Sequence, residues 1–287
     1  MTVSVLLLTL NEEINLPGCF KSLSWCDDIV VLDSYSSDST LVLAKQKGAR
    51  IFQRKFDSFA GQRNYALENI SFKNDWILHL DADEILTYSL YKEMLKEINK
   101  NCFDAFRIPS KTIFLGKWLR YAGMYPVYQV RLGHRNRLRF KQAGHGQTED
   151  LSPERIGTLR EPYLHNTFSK GLNDWFNKHN YYSTKEAQET LLAQAKKKKY
   201  NIDWLGLFSL VSTRRHRALK ILSYRLPFRP LLRFFYMYIW CRGFLDGYAG
   251  LIYCRLLSIY EYMIVVKTHE LLKNPITKKI KITEAKR

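Results

Sequence analysis

The sequence predicts an α/β fold: a mostly parallel sheet flanked by helices, continued by a C-terminal amphipathic helical region that associates with membrane. Three observations lead there. Short continuous apolar runs alternate with helix-like segments over the first hundred residues, the pattern of strands buried on both faces. Most of these runs end in a polar, largely acidic cluster. Finally, the charge is partitioned: residues 1–195 carry 25 basic and 22 acidic side chains, whereas residues 196–287 carry 20 and 5, so +15 of the net +18 lies in the last third. The chain is therefore read as a near-neutral domain, 1–195, with halves of about 1–100 and 101–195, followed by a basic helical tail, 196–287. At 287 residues, 46% hydrophobic and 25% charged, it is neither disordered, collagenous nor disulfide-stapled.

The elements follow in order. Val3–Leu8 is a buried first strand; it lacks a basic leader and a small-residue cleavage site, so it is not read as a signal peptide. Residues 12–24 are predicted as a helix and Asp28–Asp33 as a second strand. Ser37 or Asp38 caps a helix running to about Lys47. Arg50–Phe52 is a short strand, 59–70 a helix, Trp76–Leu80 a strand and Thr87–Lys100 a helix. Such a βαβα series makes right-handed crossovers. Phe103–Ile108 and Tyr128–Leu132 are strands, and the aromatic stretch Lys111–Pro126 is a loop or cleft wall. Residues 170–195 form an amphipathic helix or helix pair. The five cysteines are odd in number and lack CxxC spacing, which reads as buried reduced thiols in a cytosolic compartment.

In parallel sheets, ligands bind beyond the carboxyl ends of the strands. Thr9, Asn11 and Glu12 follow the first strand, Asp33 and Asp38 the second, and Asp81-Ala82-Asp83-Glu84 the fourth. Three acidic clusters on one edge repel unless a cation or ligand donors compensate them. Asp81 and Asp83, two apart at a strand end, can hold Mg²⁺ or Mn²⁺, which would neutralise a diphosphate leaving group. A lone DxD can instead simply cap the next helix. The strand context and the upstream clusters favour the metal.

Together, Thr9-Leu10-Asn11-Glu12-Glu13, Val31-Leu32-Asp33-Ser34, Ser37-Asp38-Ser39-Thr40, Gln62-Arg63-Asn64 and Leu80-Asp81-Ala82-Asp83-Glu84 resemble a family 2 inverting glycosyltransferase of the GT-A fold. His145-Gly146-Gln147-Thr148-Glu149-Asp150, His165 and Arg242-Gly243-Phe244-Leu245-Asp246-Gly247 extend the resemblance to bacterial enzymes that build lipopolysaccharide core and other surface glycans. The resemblance implies a nucleotide-diphosphate-sugar donor, UDP-sugar favoured. Thr9, Asn11, Glu12, Asp33, Arg63 and Asp81 would hold that donor, Asp83 and His165 the metal. Glu149 would be the catalytic base, with Asp150 as second choice. Many members carry adjacent His-Glu where this chain has His145-Gly146, and His145 can orient base or acceptor. Glu84 would support the site from behind. Trp118, Tyr121 and Tyr125 either stack on an acceptor sugar or pack.

In the tail, arginines interrupt runs such as Leu231–Trp240. No stretch there reads as a spanning helix of roughly 18–20 nearly uncharged residues. Basic residues beside Trp, Tyr, Phe and Leu suit a helix lying in an anionic membrane interface; packing on the first domain or a homo-oligomer contact is the competing reading. Nucleic acid is not expected as a partner, for no binding signature appears. The expected location is the cytoplasmic face of the cell membrane, peripheral or monotopic, with a lipid-linked or glycan acceptor. Two other functions compete: a sugar nucleotidyltransferase, which needs a Gly-rich, Lys-containing loop after the first strand, and a non-catalytic basic adaptor.

Overall fold

The structure is a computed structural model and describes residues 2–143, 146–195, 203–207 and 228–273. It divides into two compact units, Met1–Leu172 and Asn173–Arg287. The boundary expected at 195/196 falls at the end of one continuous helix, α5 (Gly171–Ala195), nearly all of which belongs to the second unit.

In the first unit, β1 (Val3–Thr9), β2 (Ile29–Asp33), β3 (Arg50–Gln53) and β4 (Trp76–Asp81) are mutually parallel. The expected apolar runs are strands within one or two residues of their predicted ends. Beyond β4 the sheet is mixed. Among the described residues its order is β3-β2-β1-β4-β8-β6-β12-β5, where β5 is Glu84–Ile85, β6 Ala105–Phe114, β8 Val127–His134 and β12 Tyr163–His165. Strand β8 runs antiparallel to both β4 and β6. The stretch expected to be a loop from Lys111 instead continues β6 to Phe114 and turns back through β7 (Lys117–Trp118). A further strand, β11 (Ile156–Thr158), pairs with β6. A separate antiparallel hairpin joins β9 (Phe140–Ala143) to β10 (Gly146–Glu149).

Alternation along β1 explains why its whole run is apolar. Val3, Val5 and Leu7 enter one core with Leu16, Cys19, Phe20 and Leu23 of the α1 region (helix Leu16–Ser22) and with α4 (Tyr88–Ile98). Leu6 enters the other, with α3 (Phe59–Asn69) and Phe140. Helix α1 is shorter than the predicted 12–24. Pro17 suits its first turn, while 12–15 form a turn whose backbone bonds the loop before α2 (Thr40–Gln46). The N-cap of α2 is Ser39, without a side-chain cap bond, rather than Ser37 or Asp38; Asp38 Oδ1 accepts the Thr40 N–H at 3.0 Å within the loop. The described cysteines are all free thiols.

In the second unit, Lys267 Nζ on the long helix Gly247–Lys273 donates to Asn180 Oδ1, Ser183 Oγ and Thr184 Oγ1 of α5 at 2.6–2.8 Å. Preceding the long helix are a helix Arg229–Phe235, a π turn Tyr236–Trp240 and a 3₁₀ turn Gly243–Asp246. Against expectation, Gly243–Lys273 is long and apolar enough to cross a membrane by length and composition. Its charged residues, among them Asp246, Arg255, Glu261 and Lys267, are spaced widely enough for an 18-residue window to pass. The predicted Lys196–Lys199 run lies outside the described residues.

Candidate active site

Parallel pairing sets the site. The register places Thr9 beside Asp33 and Leu8 beside Asp81, so the ends of β1, β2 and β4 share one edge. Asp33 is fully buried. It accepts from Thr9 Oγ1 (2.9 Å), Ser36 N (2.8 Å), Ser36 Oγ and Gln53 Nε2 (3.3 Å), which fills about the four acceptor positions a carboxylate has. Asn11 sits in the left-handed region at φ 55, a conformation Asn tolerates. Its Oδ1 accepts from Ser37 N and its own N–H donates to Ser36 Oγ, both at 2.8 Å. The loops after β1 and β2 are thereby interlocked. Glu12, expected at the donor, is bonded within the protein: its carboxylate accepts from Asn15 Nδ2 (2.6 Å) and Lys170 Nζ (2.5 Å). Burial raises its pKa and Lys170 opposes the rise.

Asp81 lies between two guanidinium groups. Arg63 Nη2 donates to one oxygen at 2.8 Å and Arg131 Nη2 to the other at 2.7 Å. Burial pushes the Asp81 carboxyl up, but the charges of Arg131 and Arg63 outweigh it and hold the pKa far below the usual carboxylate range. Arg131 also donates to Glu84, whose other oxygen accepts the Asp81 N–H at 3.0 Å. Glu84 is wholly buried, and burial pushes its pKa up to about 6 against the pull of Arg131. Arg63, expected at base or phosphate, is 1% exposed and also donates from Nε to Gln147 Oε1 on β10 at 3.1 Å. It thus links β4 to the hairpin. On the same face of β4 as Asp81, two residues before it, His79 is buried edge-on against Phe140. Burial and the two arginines keep it neutral.

Asp83 is the less encumbered carboxylate. Its side chain is 26% exposed, and its Oδ2 stands 3.4 Å from His165 Nε2. Antiparallel pairing of His165 with Glu84 creates this approach, reinforced by Asn166 N–H donating to the Asp83 carbonyl at 2.9 Å. Burial lowers the His165 pKa, but the hydrogen bond and charge of Asp83 outweigh it and the net shift is upward. Among the described residues no three His, Cys, Asp or Glu side chains converge as a metal cage. One carboxylate and one imidazole, both partly open to solvent, fit a site completed by diphosphate oxygens and water, as Mg²⁺ and Mn²⁺ sites commonly are. Asp81, by contrast, has each oxygen bonded to an arginine.

Glu149 lies on β10 two residues from Gln147, hence on the same strand face. Apart from a 3.5 Å approach by Thr148 Oγ1, the structure gives it no other protein partner among the described residues. Asp150, by contrast, forms an ion pair with Lys141 at 2.6 Å. His145 lies outside the described residues. Trp118 and Tyr125 contact each other edge-on at 5.1 Å, and Lys111 Nζ lies 4.6 Å above the Trp118 ring. These aromatics therefore at least pack together.

Sequence reasoning missed Arg131 and Lys170. Arg131 occupies a register shift: Phe106 pairs with Leu132 and Arg107 with Val130, leaving Arg131 the extra residue. Bulges re-aim side chains beside active sites, and nothing in a strand's alternation announces them. Lys170 reaches Glu12 across 158 positions; a lone lysine in a loop carries no local signal.

Residues 4–162 match the profile described as Glycosyl transferase family 2. The lipopolysaccharide core biosynthesis glycosyltransferase LpsC of Rhizobium meliloti is 26% identical over 279 residues, covering 91% of this chain and 92% of that one. An uncharacterized glycosyltransferase of Rickettsia typhi is 26% identical over 208 residues, covering 68% and 70%. Among solved structures, S. aureus TarS 1–349 superimposes at a TM-score of 0.43 with 16% identity, covering 96% and 93%. Glucosyl-3-phosphoglycerate synthase from Mycobacterium tuberculosis, in complex with Mn²⁺, UDP and glucosyl-3-phosphoglycerate, does so at 0.42 with 18% identity, covering 58% and 72%. With its strand-end acidic edge and a family profile spanning more than half its length, the chain belongs to glycosyl transferase family 2 and has the GT-A fold.

Proposed function

We propose that this chain transfers a sugar from a nucleotide-diphosphate-sugar, a UDP-sugar in first preference, to a lipid-linked or lipopolysaccharide-type glycan at the cytoplasmic membrane face, with inversion at the anomeric carbon. The observation that carries this reading is the Asp83–His165 pair, partly open to solvent beside an Asp81 that two buried arginines hold. The name of the Rhizobium meliloti relative supports the acceptor class.

Asp83 and His165 would hold Mg²⁺ or Mn²⁺, which when bound supplies positive charge to the departing diphosphate. Thr9, Asn11 and Asp33 shape the pocket for base and ribose. An imide N–H reaching Asp33 would replace the longest of its bonds, the 3.3 Å contact from Gln53. Asp81, fixed by Arg63 and Arg131, presents a set geometry to the ribose side rather than a mobile carboxylate. Glu149 takes the proton of the attacking acceptor hydroxyl. The displacement is single: the acceptor oxygen bonds to the anomeric carbon as the bond to the diphosphate breaks on the opposite side. The loop after β1 carries Asn11-Glu12-Glu13 folded onto Ser36–Thr40, not the Gly-rich, Lys-containing loop of a nucleotidyltransferase.

Thermal unfolding of the full chain with UDP-, GDP- and dTDP-sugars tests the donor. One nucleotide class should raise the midpoint in the presence of Mn²⁺, by about 2.7 kcal/mol of added stability at a hundredfold excess over Kd. Equal, metal-independent responses to all three would contradict the reading.

A further inference from the structure

In the second unit the segment Arg229–Trp240 and the long helix Gly247–Lys273 form a helical hairpin. Its shape is enforced from within. Ser258 Oγ donates to the Pro230 carbonyl at 2.7 Å, and Arg229 pairs with Glu261 at 2.5 Å. At Gly250 a Cβ would stand 2.2 Å from the Gly243 carbonyl oxygen, so only glycine lets the turn close on the helix. That closed turn leaves large apolar groups outside. Trp240 is 81% exposed and Tyr248 72%, with Ile239, Phe244 and Leu245 all about half exposed. Arg242, at φ 57, stands exposed among them.

The exposed charge nearest this tip has one sign, whereas farther along the hairpin Arg229 and Arg233 face Glu261 at 2.5 and 4.0 Å. Residues 228–260 contain Arg229, Arg233, Arg242 and Arg255 but a single acid, Asp246, which is buried. Among the described residues of 228–260, no carboxylate is exposed. A soluble surface that shows Trp, Tyr, Phe and Leu together with arginine and no acid has the composition of a bilayer interface, where aromatic rings sit at headgroup level and arginines meet lipid phosphate. A second copy of the same cationic tip would meet it with like charge, which disfavours self-association through this face.

We propose that the hairpin tip docks on an anionic lipid bilayer, with Trp240, Phe244 and Leu245 at the headgroup–acyl boundary and Arg242 on lipid phosphate. Docking is shallow. Arg233 lies seven residues before Trp240 and Arg255 eight after Gly247, so the next cations stand roughly 10–12 Å along the helices at 1.5 Å per residue. That reach matches the ~5–10 Å depth of an interfacial helix and falls short of the ~30 Å hydrocarbon core. The docking stands on this unit alone; only its use, delivery of a lipid-borne acceptor, rests on the transferase reading.

The test is flotation of the purified full chain with phosphatidylcholine vesicles, with and without phosphatidylglycerol, together with tryptophan quenching by brominated lipid. The wild type should float with anionic vesicles, be released by high salt, and show quenching that Trp240→Phe removes. The combined Phe244→Ser and Leu245→Ser variant should bind at least tenfold more weakly, and Arg242→Gln about fivefold more weakly on anionic vesicles, in line with ~1 kcal/mol per arginine. Because these side chains are already exposed, the variants should keep the wild-type circular dichroism and its donor-induced thermal shift, which separates failure here from failure of the transferase reading. The proposal is overturned by absence of flotation, by tip variants that bind like wild type, by salt-resistant binding that survives the substitutions (a spanning helix), or by a wild-type dimer that the variants dissociate without any lipid binding.

Discussion

At the scale of single residues, the site is a problem in charge matching. Asp81, Asp83 and Glu84 crowd one strand end, and the fold answers with Arg63 and Arg131, both buried. Arg131→Met leaves two carboxylates short of a partner. Removing one member of a buried pair costs about 3–5 kcal/mol, so the urea midpoint should fall accordingly and donor affinity with it. Arg131→Lys, which keeps the charge but not the fork, should fall between. An Arg131→Met chain as stable as wild type would show that Asp81 and Glu84 do not need the arginine. Another buried carboxylate, Asp28, precedes β2, at the end of that strand opposite Asp33. Burial pushes its pKa up, but Ser4 Oγ, the Lys73 N–H and Arg50 donate to it and hold it below the usual value of 3.8. Its contribution is present above pH 3.8 and is lost as pH falls through the lowered value. Asp28→Asn should cost about 1.5–3 kcal/mol at neutral pH, the range for hydrogen bonds to a charged group. The gap from wild type should close in acid, and donor binding should stay intact. The acidic residues were legible because they end apolar strands. Of their arginine partners, Arg63 reads as a group for base or phosphate rather than for Asp81, and Arg131 is missed because it owes its aim to a bulge.

At the scale of elements, two attachments bring distant segments to the edge. The β9–β10 hairpin is held by Asn64, which donates to the Phe140 carbonyl at 2.8 Å and accepts its N–H at 2.9 Å, and by Arg63 on Gln147. Asn64→Ala leaves both backbone groups of Phe140 unpaired, at about 1–3 kcal/mol. Amide exchange should accelerate first in 140–149, and turnover should drop further than global stability does, because Glu149 rides on that hairpin. Uniform acceleration throughout the first unit would contradict this. The second attachment is β12, which carries His165 to Asp83 and continues to Lys170 on Glu12. The four parallel strands were readable from continuous apolar runs. Strand β12 and the extension of β6 past Lys111 were not, because three-residue strands and aromatic strand ends lack the periodicity that marks longer elements. Helix α1 came out short because Asn11–Glu13 bond the neighbouring loop instead of opening the helix.

At the scale of the whole molecule, the +18 charge separates chemistry from address. The first unit contains the matched acidic edge, and the excess of basic residues follows it. The compact division falls at 172/173 rather than at the charge step near 195, because α5 packs with the long helix through Lys267 whatever its own charge. The central claim is that Asp83, with His165, holds the metal on which sugar transfer depends. Release of nucleotide diphosphate by the full chain, given donor and acceptor membranes, measures it directly. Turnover should require Mn²⁺ or Mg²⁺, stop in EDTA, and be lost in Asp83→Ala while the Asp28→Asn chain remains active. An Asp83→Ala enzyme that turns over at the wild-type rate in EDTA would contradict the account.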